Sequence, residues 1–334
     1  MTRRKDGLWQ EVVKINGKTK YFYGKTKAEV LRKVRSYEEK QEQGRLFSEV
    51  ADEWWEEHEN KIEWNTAKSY RPAKNRAIDE FGEMPIKDIT PPDINRYIKK
   101  FSRKYADKTT RTQLLIFNLI FKYAVEVGDI PSNPARDLSV PDGLAKRKIT
   151  SPIQDDIDKV KVSTDCTFGM FAYWAMYTGM RRGELLALEW SDVDVKNRII
   201  HINKSLYYEN NKPCIKLPKT STSIGTVPIL DALLKKIKPR KKGLVFPNCD
   251  GKYITNSQFE VLWDAYQKET GITATPHQFR HAYATMLFEA GIPPEEMQIL
   301  LRHAQLSTTM DIYTDIREKK QKEVFEKVYT IDIT

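Results

Sequence analysis

The sequence predicts a mainly α, multi-domain protein with small β elements. Its 334 residues exceed what one domain usually holds, which makes two or three domains the expectation. Apolar residues recur at helical spacing through most of the chain, in segments punctuated by glycine and proline. Alternating apolar and polar residues, the mark of strands, gather mainly around Asn16–Gly17 and Asn210–Asn211.

The elements follow in order. Residues 8–24, LWQEVVKINGKTKYFYG, alternate on both sides of Asn16–Gly17, a hairpin signal. Thr26 precedes Glu29 by three residues, a capping-box spacing, and a helix runs on to Gly44. Residues 1–45 thus form a small hairpin-plus-helix module, with Trp9, Tyr21, Phe22 and Tyr23 expected in its core. Residues 46–140 hold four helical patterns: one after Ser48, KSYRPAKNRAIDEFG ending at Gly82, a third entered at Thr90 and two prolines, and a long apolar one ending at Gly128. Short loops between them predict an α-helical bundle. Four prolines between 131 and 152 mark a boundary, with the linker placed at 141–152. Residues 153–334 mix helices with a strand pair around Asn210–Asn211, continue the extended pattern through STSIGTVPI (221–229), and end in a helical tail carrying Val324, Phe325 and Val328. This last part is expected to be a mixed α+β domain.

Charge narrows the function classes. The chain carries a net charge of +10. Residues 1–45 hold 13 Lys and Arg against 6 Asp and Glu, a surplus of seven. Such a concentration fits a phosphate backbone, and equally a solubilising surface. No apolar run reaches membrane-spanning length, and the basic N-terminus lacks the apolar stretch of a secretory signal. Cys166, Cys214 and Cys249 are odd in number and far apart, which argues for reduced thiols in a cytoplasm.

Four stretches of the last domain place polar residues where helix pattern does not demand them. TGMRRGELLALEW sets Arg181 after a glycine, with Glu184 three residues on. KLPKTSTSIGTVPI sets Lys219 near a turn. TPHQFRHAYAT sets His277 and Arg280 on one helix face, with His281 a turn beyond His277. LLRHAQLSTTMDIYTDI gives His303 and, ten residues later, Tyr313. Taken singly, Arg181 reads as a surface arginine paired with Glu184, Lys219 as a hairpin lysine and Tyr313 as half-buried packing. A metal on His277 and His281 needs a third ligand, and Arg280 on that helix repels cations. No metal is therefore expected on this histidine pair.

Taken in order, Arg…Lys…His-x-x-Arg…His…Tyr resembles the tyrosine recombinases, in particular phage and conjugative-element integrases. The resemblance implies a catalytic set of Arg181, Lys219, His277, Arg280, His303 and Tyr313, with Tyr313 as nucleophile and Glu184 supporting Arg181. It implies an arm-type DNA-binding module at 1–45, a helical core-binding domain at 46–140, and a tyrosine-recombinase catalytic domain with its tail at 153–334. The activity implied is site-specific DNA recombination through a 3′-phosphotyrosyl intermediate, integrating or excising a mobile element without metal or ATP. Two other readings compete: a type IB topoisomerase-like relaxing enzyme, and a catalytically silent DNA-binding regulator. The partners implied are double-stranded DNA at core and arm-type sites, a homotetramer exchanging C-terminal tails, an excisionase and a host DNA-bending protein, all in the cytoplasm of a bacterial host and away from membrane. Basic candidates for DNA contact are Arg3, Arg4, Lys5, Lys14, Lys18, Lys20, Lys146, Arg147, Lys148 and Arg302. Two positions depart from the family pattern. Arg302 stands where a glycine often precedes the histidine, and Gly225 stands where an arginine often precedes Thr-Val-Pro.

Overall fold

The computed structural model describes residues 1–15, 18–145, 151–217 and 224–329, and the chain divides into two units, Met1–Arg147 and Lys148–Thr334.

The first unit opens with a three-stranded antiparallel sheet in the order β1 (Thr2–Arg3), β2 (Trp9–Ile15), β3 (Lys18–Gly24). Ile15 pairs with Lys18, so two residues connect the strands; the expected Asn16–Gly17 turn itself lies outside the described residues. Helix α1 (Lys27–Gln43) starts where Thr26 Oγ1 accepts from the Glu29 amide at 3.2 Å. It ends at Gly44, whose φ of +78° suits glycine. Phe22 turns toward α1 and meets Tyr37 at 5.1 Å between ring centroids. Tyr21 and Tyr23 point the other way and are exposed, against the expectation that they join the core. Strand alternation is the reason: α1 covers one face of the sheet only. The four helices expected next are α2 (Phe47–Glu59), α3 (Trp64–Phe81), α4 (Pro91–Ser102) and α5 (Asp107–Glu126). Phe47, Phe81, Phe117 and Phe121 centre their core. Helix α3 begins four residues before the expected start and carries Pro72 within it.

The second unit opens with α6 (Gln154–Val162), the buried α7 (Gly169–Thr178) and α8 (Arg182–Ala187). Two small sheets follow where a strand pair and one further extended segment were expected. The first orders β4 (Val193–Asp194), β5 (Ile199–Ile202) and β8 (Gly225–Pro228). The second is the hairpin β6 (Ser205–Glu209) and β7 (Lys212–Lys216). Asn210 and Asn211 both adopt positive φ in its two-residue turn. The extended run breaks at Asn203–Lys204 because both side chains are tied down there. Asn203 donates to Asp192, and the Lys204 ammonium lies 2.9 Å from Glu189 and 3.1 Å from Asp192. Short α9 (Asp231–Leu234) leads to α10 (Asn256–Thr270), α11 (Pro276–Glu289), α12 (Pro294–Leu301) and α13 (Leu306–Tyr329). Trp174, Phe171, Phe259, Tyr266 and Phe279 fill the main core. None of the described helices is long and apolar enough to cross a membrane.

Helix α7 must stop sharply so that Arg181 can face α11 and α12. Gly179 makes that stop at φ +60°, and a Cβ there would overlap the buried Tyr283 ring on α11. Gly179→Ala should therefore cost roughly 2–4 kcal/mol, the sum of left-handed strain and overpacking, read as a lowered midpoint in urea unfolding.

Candidate active site

Three chain segments of the second unit meet at the C-terminal end of α7. Each contributes a guanidinium. Arg181 stands at the N-cap of α8, Arg280 in the second turn of α11, and Arg302 at the C-terminus of α12. Thr275 and Pro276 start α11 so that His277 falls in its first turn and Arg280 one turn later, on the same side.

The arginines are held by few groups. Glu184 is buried, and its Oε1 accepts from Arg181 Nη1 at 2.8 Å. Its Oε2 accepts from the Arg181 backbone N–H at 2.8 Å and from Arg302 Nη2 at 2.7 Å. Arg280 is also buried; it donates to the Gly179 carbonyl at 2.6 Å and to the Leu301 carbonyl. Arg181 Nη2 donates to the next carbonyl along, that of Arg302, at 3.3 Å. Thus adjacent carbonyls at one turn accept from two different arginines. That turn is left-handed, with Arg302 at φ 53° and ψ 50°, and His303 N–H closes it on Gln298.

Burial would raise the Glu184 pKa, yet Arg302 and then Arg181 outweigh it and hold the carboxylate below its ordinary value. Burial, then Arg181, pushes Arg280 down to about 9, so it stays charged at neutral pH. The histidines respond oppositely to Glu184. His303 is half-buried, its Nδ1 lies 2.9 Å from Thr309 Oγ1, and burial followed by Arg280 and Arg181 pushes its pKa down to about 4. His277 opens to solvent on one side, but the protein packed behind its ring lowers its pKa, with Arg280 and Arg181 adding to this. Its ring meets His281 at 5.4 Å. Among the described residues no three His, Cys, Asp or Glu side chains converge as metal ligands.

Tyr313 lies one helical turn beyond Thr309 on α13 and is half-buried. Its ring packs edge-on against Phe288 at 4.8 Å, and its hydroxyl has no hydrogen-bond partner among the described residues. The structure therefore joins Arg181, Glu184, Arg280 and the turn before His303 by direct bonds, but leaves Tyr313 outside that network. Lys219 lies outside the described residues, as do Lys146, Arg147 and Lys148.

Arg302 requires a correction. As a DNA-contact candidate it should be exposed, but it is 6% exposed and ion-paired to Glu184. The left-handed turn points its side chain inward, over Gly225. Sequence reasoning missed its partnership with Glu184, which sits 118 residues away. The paired departures at 225 and 302 were the available signal. At the N-terminus, Arg3, Arg4, Lys5, Lys14 and Lys20 are exposed, and Arg4 lies 5.0 Å from the Tyr23 ring.

Residues 153–320 match the phage integrase family and residues 47–140 the phage integrase central domain. The chain is 29% identical over 280 residues to a XerC-like tyrosine recombinase of Caldanaerobacter subterraneus subsp. tengcongensis, covering 73% of this chain and 71% of that protein. Its fold is similar to that of the Tn1549 transposon integrase in complex with transposon right end DNA. That match has a TM-score of 0.67 and 20% identity, and covers 83% of this chain and 99% of the other. A lambda integrase tetramer bound to a Holliday junction matches at a TM-score of 0.63 and 15% identity, covering 94% and 95%.

The depressed His303 value has a thermodynamic consequence. A folded-state pKa of about 4, against roughly 6.5 in the unfolded chain, means the unfolded state takes up this proton first as pH falls. This group should therefore remove stability progressively between about pH 6.5 and 4, and none above that range. Urea midpoints measured at pH 7 and pH 5 should fall further apart in the native protein than in His303→Gln; equal separations would contradict the assignment.

Half of the chain matches one family model, and the matched residues hold the arginine cluster just described. The chain belongs to the phage integrase family, the tyrosine recombinases that cut and rejoin DNA at specific sites.

Proposed function

We propose that the arginine cluster grips the scissile phosphodiester and that Tyr313 is the nucleophile. The observation that carries this reading is the Arg181–Glu184–Arg280 arrangement, in which two guanidiniums are oriented before any anion arrives. A phosphodiester is anionic, and attack concentrates further charge on its oxygens. Fixed planar donors stabilise that charge most when they need not reorganise. The Tyr313 oxygen attacks phosphorus, its proton passes to a neighbouring acceptor, and the bond to the 5′ oxygen breaks. The product is a 3′-phosphotyrosyl ester and a free 5′-hydroxyl. Lys219 donates the proton to that leaving oxygen. A 5′-hydroxyl from the partner DNA then attacks the ester, which releases Tyr313 and rejoins the strand. The ester retains the energy of the broken linkage, so no nucleotide cofactor enters.

Neutral imidazoles suit this scheme. His277 and His303, both with lowered pKa, are uncharged near pH 7 and can accept or donate at the phosphate without adding repulsion to the arginines.

The wider assembly follows from the same reading. Residues 1–45 form the arm-binding module, and the exposed Tyr21, Tyr23, Arg4 and Lys14 suit a groove lined by phosphates. Residues 46–140 form the core-binding domain, residues 141–152 the linker, and residues 153–334 the catalytic domain with its tail. The C-terminal helix leaves Val324 and Phe325 exposed, an apolar pair suited to a neighbouring protomer in a tetramer. An excisionase and a host DNA-bending protein complete the assembly, acting on a mobile element in the cytoplasm of a bacterium. Relaxation without site choice is the weaker reading, since the chain carries two further segments ahead of its catalytic part.

A nicked suicide substrate tests the nucleophile. The native protein should form a covalent protein–DNA adduct, and Tyr313→Phe should form none while still binding DNA. An undiminished adduct with Tyr313→Phe rejects the assignment. Arg181→Ala and Arg280→Ala should each slow adduct formation by about 10²–10³, read as single-turnover rates.

A further inference from the structure

We infer that Arg302 is a positioning residue: it neutralises the buried Glu184 carboxylate, so that the charge of Arg181 is left for the phosphate. The inference rests on the reading of Arg181 as a phosphate grip and asks what keeps that grip charged. Glu184 serves two arginines at once, with Oε1 on Arg181 and Oε2 on Arg302. Three guanidiniums and one carboxylate leave a surplus of positive charge facing the space an anion would fill. Without Arg302, a buried carboxylate would sit against Arg181 alone. Most of the Arg181 charge would then be answered inside the protein rather than by DNA.

Space filling does not account for a guanidinium here. Position 302 is left-handed, a conformation that glycine adopts without strain. The site is buried, so an apolar residue would escape the desolvation that lowers the Arg302 pKa. Arg302 Nε is buried with no hydrogen-bond partner among the described residues, a further cost. Three unfavourable features are tolerated together, and the bond to Glu184 is the feature that needs the charge.

Gly225 belongs to the same device. A Cβ built on Gly225 would lie 2.9 Å from Arg302 Cδ, inside contact distance. The absent side chain on β8 is what lets the Arg302 stem cross to Glu184. The backbone of position 302 contributes separately, because its carbonyl accepts from Arg181. That contact survives side-chain substitution, so substitution isolates the charge.

The test measures single-turnover adduct formation at saturating protein on nicked DNA carrying the protein's own crossover site. Native protein and Tyr313→Phe run alongside: an adduct in the first and none in the second secures the underlying reading before Arg302 is judged. Arg302→Met keeps the stem and removes the charge. It should slow adduct formation by about tenfold or more, with DNA affinity within about threefold of native. Arg302→Lys should recover part of the rate. The decisive comparison is between Glu184→Gln and Glu184→Gln/Arg302→Met. A neutral amide needs no counter-charge, so those two should cleave within about threefold of each other. If Arg302 only packs, the double variant is slower than Glu184→Gln by the full Arg302→Met factor, and the inference fails. It fails also if Arg302→Met cleaves at the native rate. Should Arg302→Met not fold, the comparison in the Glu184→Gln background decides alone. Gly225→Ala, which crowds Arg302, should slow cleavage in the same direction as Arg302→Met.

Discussion

Like charges must be gathered before a phosphate arrives, and the fold of the second unit is arranged around that constraint. Arg181, Arg280 and Arg302 would repel one another in an empty site. The protein offsets the repulsion with one carboxylate and with backbone carbonyls at Gly179, Leu301 and Arg302. Carbonyls are suited to this task. They orient a guanidinium without cancelling its charge, whereas each further carboxylate would lower the net potential offered to DNA. Burial first, and then the same potential, keep the neighbouring imidazoles neutral, because a further positive charge there would be both desolvated and repelled.

This constraint explains which parts of the unit are rigid. The carbonyls are useful only if fixed, and each belongs to a helix end. Gly179 terminates α7, and Leu301 and Arg302 terminate α12. Both helix ends use left-handed residues, which turn carbonyls that would otherwise face solvent toward the arginines. The large aromatic core of Trp174, Phe171, Phe259 and Tyr266 lies behind these ends and holds α7 and α10 in place. Beside it, Leu301, Met297 and Ile316 bind α12 to α13, so that the turn before His303 and the helix bearing Tyr313 share one smaller cluster.

Much of the architecture was legible from residue pattern alone. Thr90 with two prolines, and Gly44 and Gly128 at helix ends, act through local geometry that neighbours in sequence specify. Burial of individual side chains was less legible. Tyr21 and Tyr23 face out because only one side of their sheet is covered, which alternation cannot reveal without knowing where α1 lies. The run from Arg198 to Glu209 read as the first strand of a pair turning at Asn210–Asn211. It is split by polar anchors at Asn203 and Lys204 whose partners, Asp192 and Glu189, precede it in the chain. The pairing of Glu184 with Arg181 could be read from spacing. The pairing of Glu184 with Arg302 could not, because it depends on a left-handed turn and on an absent side chain at Gly225.

The two departures at 225 and 302 illustrate how a local conflict in sequence becomes consistent in three dimensions. An arginine in a left-handed buried turn is locally unfavourable, and a glycine within β8 weakens a short strand. Each feature alone reads as a defect. Together they set a long cationic side chain across a vacated position and onto the Glu184 carboxylate buried among the arginines. The strand loses a side chain that no core contact needed, since Val227 supplies the buried face of β8. The site gains a counter-charge that leaves its outward-facing guanidinium available. Local rules are therefore broken here where the electrostatics of the site require it, and kept in the helices that carry the site.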